Sequence, residues 1–235
     1  MSGAGIGAVL FDLDGTLVDT AEDLLGALDD LRAQLGLPPC ADSLPPAIAA
    51  RGGRGIIALG FPDDAGAAER YLARYLRLYQ ARIAQLSRPY PGIEELLAML
   101  EQRGIAVGIV TNKPEALARE LLTALGWHER APGTDLAGGS ATQFGVLVGG
   151  DTLPVRKPAP DPIWEACKLL GVDPASSIMV GDDLRDIASA RAAGCAHSIA
   201  VSYGYIEDPR AIGAWGADSV VATPAQLSSR LLSLI

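Results

Sequence analysis

Apolar positions along this chain follow two different periods, and the boundary between them divides it. Residues 6–11 form a continuous apolar run with small residues between, the length of one buried strand. From about residue 19 to residue 88 the spacing becomes helical. An amphipathic helix is predicted from Thr20 to about Leu35, ended by Gly36 and Pro38-Pro39, with Thr20-Ala21-Glu22-Asp23 as a capping box. Ile48, Ile56, Ile57 and Leu59 surround the glycine-rich bend Arg51-Gly52-Gly53-Arg54-Gly55. Tyr71, Leu72, Tyr75, Leu76, Tyr79, Ile83 and Leu86 make an apolar stripe across residues 67–86, whose tyrosines are assigned to packing.

Composition shifts at the linker Arg88-Pro89-Tyr90-Pro91-Gly92. Beyond it helix and strand patterns alternate. Helices are predicted over 93–103, 114–125, 161–170 and 187–193, each stopped by a glycine, and a last one opens at Thr223-Pro224. Strands are predicted over 105–110, 145–148, 178–180, 199–201 and 219–221. The pattern implies an α/β fold, a parallel sheet with helices on both faces. Residues 1–18 and 90–235 form its core. Residues 19–89 form an inserted all-helical module over the carboxyl edge of the sheet, where such sheets bind ligands. Residues 129–144, rich in Gly, Ser and Thr, are assigned to a flexible surface loop.

Composition narrows the function. The 235 residues are 49% hydrophobic, enough for a large core, and carry a net charge of −9 from 19 basic and 28 acidic side chains. That balance disfavours nucleic acid and anionic membrane as partners. A small anionic substrate remains compatible, given a bound cation. Cys40, Cys167 and Cys195 form no paired motif and are assigned to reduced, buried positions in a cytoplasmic protein. No leader segment or membrane span is visible. A monomer or homodimer is expected.

Candidate chemistry collects at strand ends. Asp12 and Asp14 alternate at the end of the first strand and share one face, and Gly15-Thr16 turns the chain away. Two carboxylates this close call for a positive partner such as a metal. Thr111-Asn112 follows the 105–110 strand, where a hydroxyl and helix-terminal N–H groups suit a phosphate oxygen; the alternative for Thr111 is a helix cap. Lys157 is one of only three lysines and is pinned by Pro158 and Pro160. Asp182, Asp183 and Asp186 follow the 178–180 strand as hard oxygen donors suited to Mg²⁺.

In this order Asp12/Asp14, Thr111, Lys157 and Asp182/Asp186 resemble the four motifs of the haloacid dehalogenase superfamily, and the 19–89 insert resembles its C1-type helical cap. The resemblance implies a Mg²⁺-dependent phosphatase. Asp12 is its nucleophile, forming an aspartyl-phosphate, and Asp14 its acid and base. Thr111, Asn112 and Lys157 bind the phosphoryl group. Asp12, Asp14 (through its carbonyl) and Asp182 hold the metal, with Asp186 behind them and Asp183 either there or capping a helix. Thr111-Asn112-Lys113-Pro114, Gly149-Gly150-Asp151-Thr152, Arg156-Lys157-Pro158 and Tyr203-Gly204-Tyr205 look like the phosphoglycolate phosphatase branch. Gly181-Asp182-Asp183-Leu184-Arg185-Asp186-Ile187 and Trp215-Gly216-Ala217-Asp218 also resemble N-acetylmuramic acid 6-phosphate phosphatases. A sugar-phosphate mutase and a non-catalytic phosphate-binding protein are the remaining alternatives. Substrate choice is expected in the insert, with Arg51 and Arg54 as candidates to meet a substrate carboxylate.

Overall fold

The computed structural model describes residues 5–130 and 142–235. Six parallel strands form the central sheet: β1 (Ala8–Phe11), β4 (Ala106–Val110), β7 (Val146–Val148), β8 (Ser177–Gly181), β9 (His197–Val201) and β10 (Ser219–Val221), in the order β10-β9-β8-β1-β4-β7. Both sheet faces are buried, which is why the strands read as unbroken apolar runs. Alternation still sorts their side chains. Val9, Phe11, Ile109, Ile178 and Val180 point to one face, against α4 (Ile93–Gln102), α5 (Glu115–Ala124) and α8 (Pro224–Leu232). Leu10, Val110, Val146 and Met179 point to the other, against α6 (Asp161–Leu170) and α7 (Leu184–Ala193).

The chain leaves β1 for β4 and β7 on one side and returns to β8, β9 and β10 on the other. The carboxyl end of β1 is therefore a switch point, flanked by the carboxyl ends of β4 and β8. This topology gathers the strand-end residues of the sequence into one place.

Between β1 and β4 lies the insertion. It is entered through β2 (Val18–Asp19) and left through β3 (Arg88–Pro89), which pair antiparallel as a two-stranded ribbon. Within it α1 (Ala21–Ala33), α2 (Gly52–Gly60) and α3 (Ala67–Arg82) enclose a separate apolar cluster, centred on Leu28, Leu31, Ile56, Ile57, Tyr75 and Tyr79. Two 3₁₀ turns, Ala41–Ser43 and Pro46–Arg51, join α1 to α2.

Several expectations are corrected. Thr20 caps α1 by position but makes no capping hydrogen bond. Its hydroxyl donates to Asp14 instead, while buried Asp23 accepts from the Leu86 and Ser87 backbone and the Ser87 hydroxyl. Tertiary partners thus outcompete the local box. α3 stops at Arg82, because Ala84 adopts a left-handed backbone (φ 59°), and Leu86 is exposed rather than part of the stripe. Cys167 is buried, but Cys40 and Cys195 are only half-buried; all three are free thiols. At the edges of the predicted 129–144 loop, β5 (His128–Glu129) pairs with β6 (Gln143–Phe144); residues 131–141 of that loop lie outside the described residues. No helix among the described residues is long and apolar enough to cross a membrane.

Candidate active site

Asp12 follows β1 directly, and its backbone N–H donates to the Val180 carbonyl of β8, so the sheet register fixes its position. Asp182 follows β8 and is 3% exposed. One of its oxygens accepts from the Thr16 hydroxyl (2.9 Å), the other from the Tyr205 backbone N–H (2.7 Å). Gly15 makes this packing possible: it takes φ +82°, and a Cβ there would overlap the Asp182 carboxylate. Asp12, Asp182 and Asp186 can each present an oxygen within 4.8 Å of the others.

Crowding and burial show in their ionisation. Burial, with the charges of Asp12 and Asp186 behind it, pushes Asp182 well above the usual carboxylate range. Burial likewise pushes Asp186 up to about 7, against the pull of Lys157. The Asp12 Oδ1 atom has no aligned hydrogen-bond donor. A cluster of three hard carboxylate donors, with the single cation Lys157 set against two of them, fits a divalent cation.

Lys157, joined to Pro158 by a cis peptide bond, is 2% exposed. Its ammonium lies 3.1 Å from Asp12, 2.6 Å from Asp186 and 2.5 Å from the Val110 carbonyl. Burial opposes its charge, but the two carboxylates more than offset that and raise its pKa. These three groups surround the ammonium, and Lys157 stands behind Asp12, outside the cavity lining. Asp183 is resolved as a helix cap: it accepts from the Arg185 backbone, and Asp186 completes the box by accepting from the Asp183 N–H.

In front of Asp12 opens a cavity of about 240 Å³. Its floor is the sheet edge: Asp12, Asp14, Thr111, Asn112, Lys113 and Asp182. Its roof is the insertion, with Leu24, Leu72, Tyr75, Leu76 and Tyr79 as an apolar wall and Arg51 and Arg54 in the glycine-rich bend. Thr111 is buried and its hydroxyl accepts from the Lys113 backbone, while the cap position of α5 falls to Pro114; the helix-cap alternative for Thr111 therefore falls away. Asn112 donates to the Lys157 carbonyl and leaves its own carbonyl oxygen unpartnered. Both roof arginines already hold carboxylates: Arg51 is bidentate on Glu207, across from the insertion, and Arg54 pairs with Glu69.

Sequence reasoning missed other members. Lys113 is buried against Asp14, at 3.0 and 3.2 Å from its two oxygens, with its ammonium 4.3 Å from the centre of the Tyr79 ring. Its signal was present: a lysine directly after Thr111-Asn112, at the end of the strand beside β1. Tyr205 accepts from the Thr20 N–H and donates to Asp19, tying the entry of the insertion to the core. Arg185 bonds the Ala50 carbonyl across the same seam. These partners are more than a hundred residues apart in the chain, and no local pattern announces them.

Known proteins resemble this chain in sequence and in fold. A model of the haloacid dehalogenase-like hydrolases matches residues 9–201. The chain is 42% identical over 221 residues to the phosphoglycolate phosphatase of Xylella fastidiosa, covering 94% of this chain and 90% of that one. It is 41% identical over 222 residues to the N-acetylmuramic acid 6-phosphate phosphatase of Pseudomonas aeruginosa, covering 94% and 92%. A crystal structure of a predicted phosphoglycolate phosphatase from Haemophilus somnus shares the fold, with a TM-score of 0.76 at 24% identity over 96% and 98% of the two chains. Matched over residues 9–201 by the family model and at 41% and 42% identity to relatives across 94% of its length, the chain belongs to the haloacid dehalogenase-like hydrolase family.

Proposed function

We propose that this protein is a Mg²⁺-dependent phosphomonoesterase that hydrolyses 2-phosphoglycolate to glycolate and phosphate. The observation that carries the reading is the Asp12 carboxylate: it faces the cavity with a buried lysine ammonium 3.1 Å from its Oδ1 atom and a second aspartate two residues on.

Asp12 attacks phosphorus in line, forming an O–P bond as the ester P–O bond breaks. Asp14, on the cavity side, gives its proton to the leaving oxygen. It then takes a proton from the water that attacks the aspartyl-phosphate, which releases phosphate and regenerates Asp12. Lys157 neutralises and orients Asp12 from behind; a direct bond from it to a phosphoryl oxygen requires it to give up one of its three present partners. Thr111 and Asn112 receive the phosphoryl group at the start of α5. Asp12, Asp182 and the Asp14 carbonyl would hold the metal, with Asp186 supporting it. Bound Mg²⁺ would offset negative charge on the phosphoryl oxygens.

In this reading residues 19–89 act as a cap that excludes water, and the β2–β3 ribbon is its hinge. The unpaired thiols suit a reducing, cytoplasmic setting. N-acetylmuramate 6-phosphate is a second reading, favoured by the apolar roof wall, which suits a larger leaving group. The test is phosphate release with and without Mg²⁺, comparing kcat/KM on the two esters. A metal-dependent preference for phosphoglycolate supports the first reading and a preference for the amino-sugar ester the second. Activity on no phosphate monoester contradicts both.

A further inference from the structure

Each floor aspartate has its own buried lysine, and the two lysines differ in kind. Lys157 lies behind Asp12, away from the cavity, enclosed by Asp12, Asp186 and the Val110 carbonyl. Lys113 lines the cavity beside Asp14, the residue that meets the leaving group. Asp14 takes two of its three donors. Its ammonium also lies against the ring of Tyr79, from α3 of the insertion. Tyr79 is 1% exposed, and its hydroxyl lies beside the Lys113 ammonium without an aligned hydrogen-bond partner. Among the described residues the unpartnered buried side-chain polar atoms are those of Asp12, Asn112 and Tyr79, and all three residues line this one cavity. A buried donor without an acceptor is costly unless a ligand supplies one.

The other cations of the lining do not compete for that role. Arg51, Arg54 and Arg185 hold Glu207, Glu69 and Asp183, and Arg156 is exposed. We propose that the Lys113 ammonium and the Tyr79 hydroxyl form a carboxylate subsite for the leaving group, selecting phosphate esters of short 2-hydroxy acids. The placement argues for the distance. A carboxylate one carbon from the ester oxygen reaches a cation already touching Asp14, whereas one carried across a sugar ring from the ester does not. The subsite draws one group from the core and one from the insertion, so it is complete only with the insertion seated over the sheet. The inference rests on the phosphomonoesterase reading and narrows it.

The experiment compares kcat/KM for 2-phosphoglycolate and its neutral isostere, 2-phosphoglycolamide, with N-acetylmuramate 6-phosphate alongside. The unaltered enzyme should prefer the acid over the amide by about 30-fold or more, the scale of a charge-assisted hydrogen bond. Lys113→Gln should cut that preference about tenfold, through KM for the acid. Tyr79→Phe, which keeps the ring, should cut it about threefold, and Lys113→Arg should restore most of it. An acid-to-amide preference unchanged in both Lys113→Gln and Tyr79→Phe overturns the subsite and leaves the phosphatase reading standing. So does an unaltered enzyme that does not distinguish acid from amide. An unaltered enzyme that releases phosphate from none of the three esters overturns the reading itself.

Discussion

The floor and the roof of the cavity are built on opposite principles. The floor crowds buried charge at the ends of parallel strands, where β1, β4 and β8 hold Asp12, Thr111 and Asp182 in register. The roof is a small helical core with an apolar wall, and its arginines at the cavity rim already hold carboxylates. The floor carries charge that only a ligand can complete, while the roof has little unmet demand apart from the Tyr79 hydroxyl. On the proposed reading, the sheet edge alone carries the chemistry, while selectivity needs both sides, Lys113 from the floor and Tyr79 from the roof. The first would then be fixed by the sheet, and the second would depend on how the insertion sits over it.

Substitutions in the floor should therefore be drastic. Asp12→Asn is expected to lower kcat for phosphate release by about 10⁴-fold or more, the scale seen when a nucleophile is removed, with circular dichroism unchanged. Lys157→Met leaves Asp12 and Asp186 buried without their cation. Urea unfolding should show it less stable by about 3–5 kcal/mol, since half of a buried ion pair is costly to leave alone. A loss of activity without a loss of stability would mean that Lys157 acts only on substrate.

The floor should also respond to pH and metal together. Burial raises Asp186 to about 7 in the metal-free protein, against 3.8 for a free aspartate. A raised carboxylate stabilises the fold fully below the unfolded value and loses that contribution as pH rises through the folded one. Metal requires the cluster deprotonated, the ligand Asp182 (raised by burial as well) and its support Asp186 together, so stabilisation by Mg²⁺ should grow as pH rises through about 7. Melting temperatures with and without Mg²⁺ at pH 5.5 and pH 8 check this; a gap that does not widen at pH 8 argues against metal at these carboxylates.

Roof substitutions should be mild. Arg54, with a side chain 58% exposed and paired to Glu69, is expected to raise KM for a carboxylate-bearing ester by no more than about threefold when changed to alanine, as for other exposed ion pairs. A larger effect would move substrate recognition from the floor to the rim.

The same division governs what the sequence discloses. Asp12, Thr111 and Asp182 are legible because each directly follows an apolar strand, with Asp14 two residues beyond Asp12, and parallel topology brings strand ends together. Legibility fails where a residue's partner is distant. Thr20 and Asp23 have the spacing of a cap, yet Asp14 and Ser87 claim them in the folded chain. Lys113 stands beside Thr111 in sequence, but its pairing with Asp14 and Tyr79 depends on how strand and insertion meet. Arg54 reads as a free cation only until Glu69, one helix further on, is seen to hold it.

The most direct test of the central claim, that phosphate passes through Asp12, is mass spectrometry of the Asp14→Asn variant after mixing with Mg²⁺ and 4-nitrophenyl phosphate. That leaving group needs no proton, so the attack by Asp12 should proceed while hydrolysis of its product is slowed. The account predicts one added phosphoryl group on the peptide containing Asp12. A phosphoryl group on another residue, or none in a variant whose unaltered parent turns over this ester, would contradict it.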